Sequence, residues 1–311
     1  MADLPKARLR VREPSFYSTG MDCWGPMTVK VRRSQEKRWG IIFKCLTTKA
    51  VYLEIIRNMN TDEFIMAFRR FVSRRGVPKE LHSDCGTNFK GAERELHECF
   101  KAMSPELQAK LAHQQVEFKF NPPNAPHFGG IWEREIKSKK NAIKCCLKDR
   151  VFTEVVLQTV IVEVESLMNS KPLGYASSNI SDSDPITPHM LLMGRRDPVL
   201  PFVSTNATKE IRSKKQWRHS QLIIDLFWKK FVADYLPSLQ IRQKWFKEAD
   251  NLKEGDQVLV IDNQVQRGDW LTGQVSEIYS SADGKVRVAD VTIKGKTYKR
   301  PVVKLIKLEQ W

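Results

Sequence analysis

Residues 121–140, NPPNAPHFGGIWEREIKSKK, are the stretch around which the rest of the chain can be arranged. Its proline-rich first half is typical of a loop, and a helix is predicted to begin near Gly129. At about 100° per residue, one face of this helix is apolar. That face consists of Trp132, Ile136, Ile143 and Leu147. The helix is therefore predicted to pack against a core along this side.

The other side of the helix combines one carboxylate with three ammonium groups. Within an arc roughly 60° wide lie Glu133, Lys137, Lys140 and Lys144. A carboxylate that binds a cation, flanked by lysines that bind phosphates, is expected of a metal-dependent nucleic-acid enzyme. A solvated face with a Glu133–Lys137 pair, worth a few tenths of a kcal/mol, would explain the same pattern without any chemistry. The helix alone leaves both interpretations open.

Composition narrows the class of partner. The 311 residues include 52 basic and 36 acidic side chains, which gives a net charge of +16 and favours a polyanion, nucleic acid ahead of an acidic membrane surface. The length fits two domains. The six cysteines form no CxxC pair, which argues against a zinc site. No apolar stretch approaches the roughly 18 residues of a membrane span, so we expect an intracellular protein without a membrane partner.

The first half of the chain predicts a mixed sheet with helices on its faces. Short β-branched and aromatic runs at 28–32, 40–46 and 51–56 predict an antiparallel meander. The segments that follow are predicted as a helix capped by Asn60, a strand over 79–83, helices over 91–103 and 105–113, and a strand over 116–120. Such an order of elements packs as an α/β layered fold.

Three carboxylates from distant parts of the sequence can converge on this sheet. Asp22 and Asp84 are predicted at strand ends, and Glu133 lies on the helix that can cross the sheet there. Crowded carboxylates repel one another unless a cation compensates. Hard oxygen ligands favour Mg²⁺ or Mn²⁺, and two such ions about 3.5–4 Å apart can promote phosphoryl transfer. A single aspartate is more often a cap or turn residue, so the prediction depends on all three meeting.

At these residues the sequence resembles the integrase catalytic core of retrotransposons, most closely the BEL/Pao group of long-terminal-repeat elements. The resemblance covers most of residues 20–150. The matching stretches are DCWGP (22–26), CLTTKAVYLE (45–54), RRFVSRRG (69–76), SDCGTNF (83–89) and residues 121–134.

The resemblance implies an RNase H-like fold with a mixed five-stranded sheet. It also implies a DDE triad at Asp22, Asp84 and Glu133, which would bind the metal and perform catalysis. Integrases of this kind trim the 3′ ends of element DNA and join them to target DNA, so DNA, a homo-oligomeric assembly and a nuclear location are implied as well. The family places lysines against the DNA ends where this chain has Lys137 and Lys140.

The sequence departs from the family pattern in three places. Cys85 follows the second aspartate where asparagine is usual, and the interval from Asp84 to Glu133, 133 − 84 = 49 positions, is longer than in retroviral integrases. An amino-terminal His/Cys zinc module is missing from this sequence. We therefore expect either a fragment of a polyprotein or a host gene derived from one.

The region after the core is predicted to change character twice. An apolar helix over 150–168 would pack on the sheet or on a second subunit. Residues 171–250 are predicted as a linker followed by a basic helical segment broken at Pro237. The aromatic residues of that segment, which would stack on bases or pack between helices, are Trp217, Trp228, Tyr235 and Trp245.

Residues 251–311 predict a small antiparallel barrel of about five strands. The predicted strands are 257–261, 271–278, 285–291 and 296–300, separated by glycine- and asparagine-containing turns. The motif KEGDQVLV (253–260) resembles the opening of the SH3-like carboxy-terminal domain of integrases, which implies nonspecific DNA contact. The candidate phosphate contacts are Arg267, Lys294, Lys296, Lys299 and Arg300. A protein-binding module is the competing role.

The sequence thus predicts four segments and one principal function. The segments are a basic linker (1–17), an RNase H-like core (18–170), a linker with a helical segment (171–250) and an SH3-like barrel (251–311). The predicted function is that of a Mg²⁺-dependent polynucleotidyl transferase acting on DNA. A catalytically silent DNA-binding protein derived from a decayed or domesticated element is the alternative, and a metal-dependent ribonuclease is a third reading.

Overall fold

The structure is a computed structural model of the whole chain. It describes residues 13–83, 91–94, 98, 116–120, 136, 140–147, 150–175, 185–195, 216–239, 251–262, 267–281 and 283–310. Contacts divide the chain into two compact units. The core unit comprises Met1–Asn169 and Thr205–Ile224, and the carboxy-terminal unit comprises Ser170–Ser204 and Asp225–Trp311.

The core unit is built on a mixed sheet with the strand order β3-β2-β1-β4-β5. Its strands are β1 (Ser18–Val31), β2 (Ser34–Cys45), β3 (Val51–Ile56), β4 (Glu80–Ser83) and β5 (Glu117–Phe120). The first three are antiparallel, β4 runs parallel to β1, and β5 runs parallel to β4. This arrangement confirms the predicted RNase H-like sheet.

Strand β1 is longer than the sequence predicted. It begins at Ser18 rather than near Thr28, so Asp22 lies inside the strand and not at its start. The strand is central, and most of residues 18–24 are buried, so its first half lacks the alternation of a half-exposed strand. A register shift between Trp24 and Met27 interrupts the pattern further.

Helices cover the sheet as expected. Helix α1 (Thr61–Arg75) begins at the predicted cap, where the Asn60 side chain accepts the Glu63 backbone N–H at 2.9 Å. Residues 91–94 and 98 are helical, whereas the helix predicted over 105–113 lies outside the described residues. The core beneath α1 is aromatic, with Phe43 and Phe71 stacked at 4.4 Å between ring centroids.

The predicted helix over 150–168 is preceded by a short strand. Residues Val151–Thr153 form β6, which pairs in parallel with β1 and adds a sixth strand to the sheet. Helix α2 then spans Glu154–Asn169, and its apolar face is buried in the core unit. The helical prediction was right for α2 and wrong at residues 151–153, because the apolar pattern of three residues cannot distinguish the two structures.

Between α2 and the carboxy-terminal sheet lie short elements and one long helix. They are β7 (Gly174–Tyr175), β8 (Pro185–Ile186), α3 (Pro188–Met193) and α4 (Gln216–Leu239). Helix α4 continues through Pro237, so the predicted break there is wrong. Proline removes one backbone hydrogen bond, and that single loss does not end this helix. None of the described helices is both long and apolar enough to cross a membrane.

The carboxy-terminal unit contains an antiparallel sheet with the order β12-β11-β10-β9-β13. Its strands are β9 (Gln257–Val260), β10 (Thr272–Ser280), β11 (Val286–Ile293), β12 (Lys296–Pro301) and β13 (Leu305–Lys307), with a 3₁₀ turn at Val302–Lys304 and a short strand β14 (Glu309–Gln310) that pairs with β7. One side buries a valine-rich cluster that includes Val258, Val275 and Val291. All four predicted strand ranges contain strands, and β13 adds a fifth. Among the described residues no ladder joins β12 to β13, so the predicted closed barrel is not confirmed.

Candidate active site

Asp22 occupies the fifth position of β1, opposite Ile42 of β2. Its side chain is 31% exposed, and both carboxylate oxygens accept hydrogen bonds. Oδ1 accepts the backbone N–H of Cys23 at 2.7 Å, and Oδ2 accepts the Lys140 ammonium at 2.6 Å. The carboxylate is therefore held in a fixed orientation and is open to solvent at one side.

Packing immediately after Asp22 fixes the path of β1. The Trp24 indole is 6% exposed and lies over Gly40 of β2. A Cβ atom at position 40 would come within 2.1 Å of the Trp24 ring, so only glycine leaves room for the indole. The register shift that follows Trp24 turns the rest of β1 away from the line of its first half.

The helix predicted to carry the charged arc is helical at residue 136 and over 140–147, and we call this described part the Lys140 helix. Ile136, Ile143 and Leu147 are buried at 0, 2 and 5% exposure, which confirms those members of the predicted apolar stripe. On the opposite side, Lys144 is exposed and Lys140 is half-buried against Asp22. The two faces of the helix thus differ as the sequence predicted.

Several predicted site residues lie outside the described residues. These are Asp84, Glu133, Lys137 and, on the apolar stripe, Trp132. The described part of the chain reaches Ser83, the last residue of β4, which runs parallel to the strand that carries Asp22. Asp22, Lys140 and Lys144 are therefore the members of the predicted site whose positions are known.

A buried carboxylate near this site was missed by the sequence interpretation. Glu80 of β4 is 4% exposed and accepts the Ser18 hydroxyl at 2.8 Å and the Lys119 ammonium at 2.6 Å. The hydrogen bond to Glu80 raises the pKa of Lys119, against the opposing effect of burial. This network joins β1, β4 and β5 through side chains. No sequence pattern indicates it, since its members lie on three separate strands.

Asp22 offers one carboxylate donor of the kind that a divalent cation binds. One carboxylate oxygen already lies 2.6 Å from a positively charged group, and carboxylate oxygens are the ligands that Mg²⁺ and Mn²⁺ prefer. Within the described ranges, no cluster of three or more His, Cys, Asp or Glu side chains could hold a metal ion. Two of the three predicted ligands lie outside those ranges.

The cations predicted to contact DNA from the carboxy-terminal sheet differ in exposure. Lys296 is exposed and Arg300 half-buried on β12, which is an edge strand, and the Arg300 guanidinium lies 5.7 Å from the Tyr298 ring centroid. Lys299 lies over the Tyr279 ring at 3.8 Å. Arg267, in contrast, is 7% exposed and donates to Asp225 of α4 at 3.0 Å. This geometry favours a structural role for Arg267.

The aromatic residues of α4 also divide into two groups. Trp228 is 4% exposed and packs edge-on against Trp270, with 5.0 Å between ring centroids. Trp217, at the start of the helix, is 49% exposed, and the Arg218 guanidinium lies 5.5 Å from its ring centroid. Packing therefore explains Trp228, and stacking on a partner stays open for Trp217.

Comparisons with known proteins match different parts of the chain. Residues 215–308 match the model of a family described as a family of unknown function, DUF5641. This range spans α4 and the carboxy-terminal sheet through β13. No curated protein sequence matches the chain.

The chain is also similar to two solved structures. The HTLV-2 integrase catalytic core domain, solved in complex with magnesium in a dimeric form, has a TM-score of 0.32 and 18% identity, and the match covers 50% of this chain and 88% of that one. A simian T-cell lymphotropic virus intasome in complex with the PP2A regulatory subunit B56 gamma has a TM-score of 0.33 and 11% identity, with 96% and 83% covered. At these scores, the assignment of the core unit to an RNase H-like fold rests on its strand order and register.

Proposed function

We propose that this chain is a metal-dependent polynucleotidyl transferase, the integrase of a BEL/Pao-type retrotransposon, which trims the 3′ ends of element DNA and joins them to target DNA. The observation that carries the proposal is the contact of Asp22 with Lys140. These residues are 118 positions apart in sequence, yet Lys140 Nζ lies 2.6 Å from Asp22 Oδ2. The charged arc of the Lys140 helix therefore meets the first predicted catalytic carboxylate.

The register of the sheet supports a second carboxylate at the same place. Ser18 pairs with Glu80 and Gly20 with His82, an offset of 80 − 18 = 62. Continued two residues beyond His82, the same offset gives 84 − 62 = 22. This offset would match Asp84 with Asp22, and the proposal therefore takes Asp84 as the second carboxylate of the site.

In this proposal each charged residue has one role. Asp22, Asp84 and Glu133 hold two Mg²⁺ or Mn²⁺ ions, which when bound would stabilise the attacking and leaving oxygens of the phosphoryl transfer. Lys137, Lys140 and Lys144 bind phosphates of the DNA end and orient it against the carboxylates. Lys296 and Arg300 add sequence-independent phosphate contacts from the carboxy-terminal sheet.

The proposal includes the assembly and the place of action. Copies of the chain would associate, and the exposed apolar side chains of α1 and α2 support this, with Met66 at 46%, Val155 at 66% and Val162 at 59% exposure. The substrate, DNA in the host genome, requires a nuclear location. The net charge of +16 suits a polyanionic substrate.

A strand-transfer assay on short duplexes that carry the element ends tests the chemistry. Wild-type protein is expected to join these duplexes to target DNA with Mg²⁺ and not with EDTA. Asp22→Asn and Glu133→Gln are expected to lower joining by at least about 100-fold, because several kcal/mol of transition-state stabilisation depend on the bound cations. Both variants should still bind DNA.

The matched control is Asp62→Asn, which removes an exposed carboxylate from the first turn of α1. It should join DNA at the wild-type rate. Joining that survives Glu133→Gln would contradict the proposal. Wild-type protein that binds DNA but joins none under any divalent cation would favour the silent DNA-binding alternative, and cleavage of RNA·DNA hybrids would favour a ribonuclease.

A further inference from the structure

The hairpin that joins β1 to β2 presents a group of cations to solvent. Val31 pairs with Ser34, so the turn consists of Arg32 and Arg33. The exposed cations of the hairpin are Lys30, Arg32, Arg33 and Lys37. In the part of the chain that the structure describes, none of these four takes part in an ion pair. Exposed cations without carboxylate partners are available to an anionic partner.

Two acidic residues lie near these cations, and one arginine binds both. Arg38 is 4% exposed, and its guanidinium lies 2.9 Å from Glu36 and 3.1 Å from Glu154. Both carboxylates are thereby turned toward Arg38, which neutralises one of the two negative charges. The local balance remains strongly positive.

The cationic area continues across β6 to the first turns of α4. Lys30 is the register partner of Thr153, whose hydroxyl lies 3.4 Å from the Gln216 side chain, and the Phe152 ring stacks on His219 at 5.9 Å. Arg150, just before β6, is close enough to His219 to help lower the pKa of that imidazole, for which burial is the larger cause. The exposed Trp217 and its neighbour Arg218 stand at this border.

The backbone of the turn also sets Arg32 apart from an ordinary turn residue. Arg32 has φ 53°, in the left-handed region that favours glycine, and the positive φ falls on the first of the two turn residues, as in a type II′ turn. Glycine followed by asparagine would suit this turn better than two arginines. Arg32 therefore carries its charge at a position where the backbone favours glycine.

We propose that this area binds the phosphate backbone of DNA. We call it the hairpin surface. It consists of Lys30, Arg32, Arg33 and Lys37, with Arg150, Arg218 and Trp217 at its border. Eight residue steps of β1 lead from Asp22 to Lys30, which at about 3.3 Å per step is a distance of at most about 26 Å. A duplex that touches both places would span roughly seven base steps at about 3.4 Å each. The hairpin surface needs no chemistry at Asp22, so it goes beyond the proposed function.

Salt-dependent DNA binding by the full chain tests this proposal. The probe is a fluorescein-labelled 30-base-pair duplex of arbitrary sequence in EDTA, with affinity measured by anisotropy at several salt concentrations. Arg32→Gly/Arg33→Asn should reduce the slope of log affinity against log salt by about 1.8, since two phosphate contacts are lost at about 0.9 each. The variant should melt no earlier than wild type, because the new residues suit the turn.

The matched control is Arg57→Gln/Arg69→Gln, which also removes two exposed positive charges from the core unit. Its slope should stay within experimental error of wild type. An unchanged slope for the turn variant, or an equal reduction for the control, would overturn the proposal. So would a loss of binding to phosphatidylserine vesicles while DNA binding is retained, since that result would assign the surface to an acidic membrane.

The role of Trp217 at the border of the hairpin surface is tested separately, by binding to single-stranded DNA. Trp217→Ala should weaken binding of a fluorescein-labelled oligo(dT) by about fivefold or more, because an exposed indole can stack on an unpaired base. An unchanged affinity for oligo(dT) would overturn the role of Trp217. A chain that fails to join DNA ends can still pass all of these tests, so their outcome is distinguishable from that of the strand-transfer assay.

Discussion

Each of the two units contains an aspartate bound to a basic side chain, and the two pairs differ in how far water reaches the basic partner. In the core unit, Lys140 is 26% exposed at 2.6 Å from Asp22, which is 31% exposed. In the carboxy-terminal unit, the side chain of Arg267 is only 5% exposed at 3.0 Å from Asp225, whose side chain is also 31% exposed. The two carboxylates are equally exposed, so the pairs differ in the exposure of the basic side chain.

This difference in exposure determines which pair can exchange partners. A half-exposed ammonium can leave a carboxylate for a phosphate or yield to a metal ion, because water solvates it on the way. A buried guanidinium that loses a carboxylate partner at hydrogen-bond distance is left with less compensation for its charge. The first pair is therefore suited to a binding site. The second is suited to holding α4 against the segment that precedes β10, where Trp228 meets Trp270.

The largest expected effect comes from breaking the buried pair. Arg267→Met should lower the unfolding free energy of the carboxy-terminal unit by about 2 kcal/mol, at the lower end for buried pairs because Asp225 remains partly solvated. Lys296→Met, which removes an exposed cation, should change it by less than about 0.5 kcal/mol. Thermal unfolding followed by circular dichroism measures both.

The effects of these two variants on DNA binding should have the opposite order to their effects on stability. Lys296→Met should reduce the salt slope by about 0.9 and Arg267→Met should leave it unchanged, provided that the protein is measured well below its melting temperature. A normal melting temperature with a reduced slope for Arg267→Met would show that Arg267 reaches DNA, and would remove the distinction between the two pairs.

The sequence predicts structure that depends on local contacts better than structure that depends on distant ones. The hairpins of the carboxy-terminal sheet, the Asn60 cap and the apolar stripe of the Lys140 helix depend on neighbours within a few residues, and their patterns are readable. The extent of β1 cannot be read from the sequence. This central strand pairs with β2, β4 and β6, so it is largely buried and lacks the alternation of apolar and polar residues that marks a half-exposed strand.

Charged residues show most clearly what the sequence alone does not predict. Arg267 and Lys296 are both cations near turns in the sequence, and only the fold separates the buried Arg267 from the exposed Lys296. The same holds for Lys140 and Lys144, which share one helical arc although only Lys140 reaches Asp22. Residue type and spacing predict which groups can meet an anion. They do not predict which of them already has one within the protein.

A smaller effect is expected when the exposed Asp22–Lys140 pair is broken. In Lys140→Met the competing ammonium is gone from Asp22, so Mn²⁺ should bind about three- to tenfold more tightly without DNA, as expected for the loss of a partly exposed ion pair. DNA binding in EDTA should weaken in the same variant, with the salt slope reduced by about 0.9. Mn²⁺ affinity can be measured by electron paramagnetic resonance of the free ion.

Lys144→Met separates contact from general electrostatics, since it removes one charge from the same arc without touching Asp22. Its effect on Mn²⁺ affinity should be clearly smaller than that of Lys140→Met. Equal effects would mean that the Asp22–Lys140 contact has no special part in metal binding. Asp22→Asn should abolish Mn²⁺ binding in either background, and if it does not, the metal site itself is wrong.

The smallest expected effect concerns a pair between these extremes. Glu165 of α2 is 13% exposed and its carboxylate lies 2.9 Å from Arg75, which is 24% exposed. Burial raises the pKa of Glu165, against the lowering effects of the Leu53 backbone N–H and of Arg75. The folded state therefore binds more protons than the unfolded state just above the ordinary glutamate pKa, and the unfolding free energy should fall as the pH rises through that window.

Glu165→Gln removes the titrating group and keeps an acceptor for the Leu53 N–H, which donates to Glu165 Oε2 at 2.8 Å in the wild type. Between pH 4 and pH 7, urea unfolding should show a shallower decline for this variant than for wild type. Glu117→Gln, on a side chain that is 60% exposed, controls for the loss of one carboxylate. A steeper decline in Glu165→Gln would mean that Arg75 outweighs burial, and the pair would then belong with Arg267 and Asp225 as a stabilising contact.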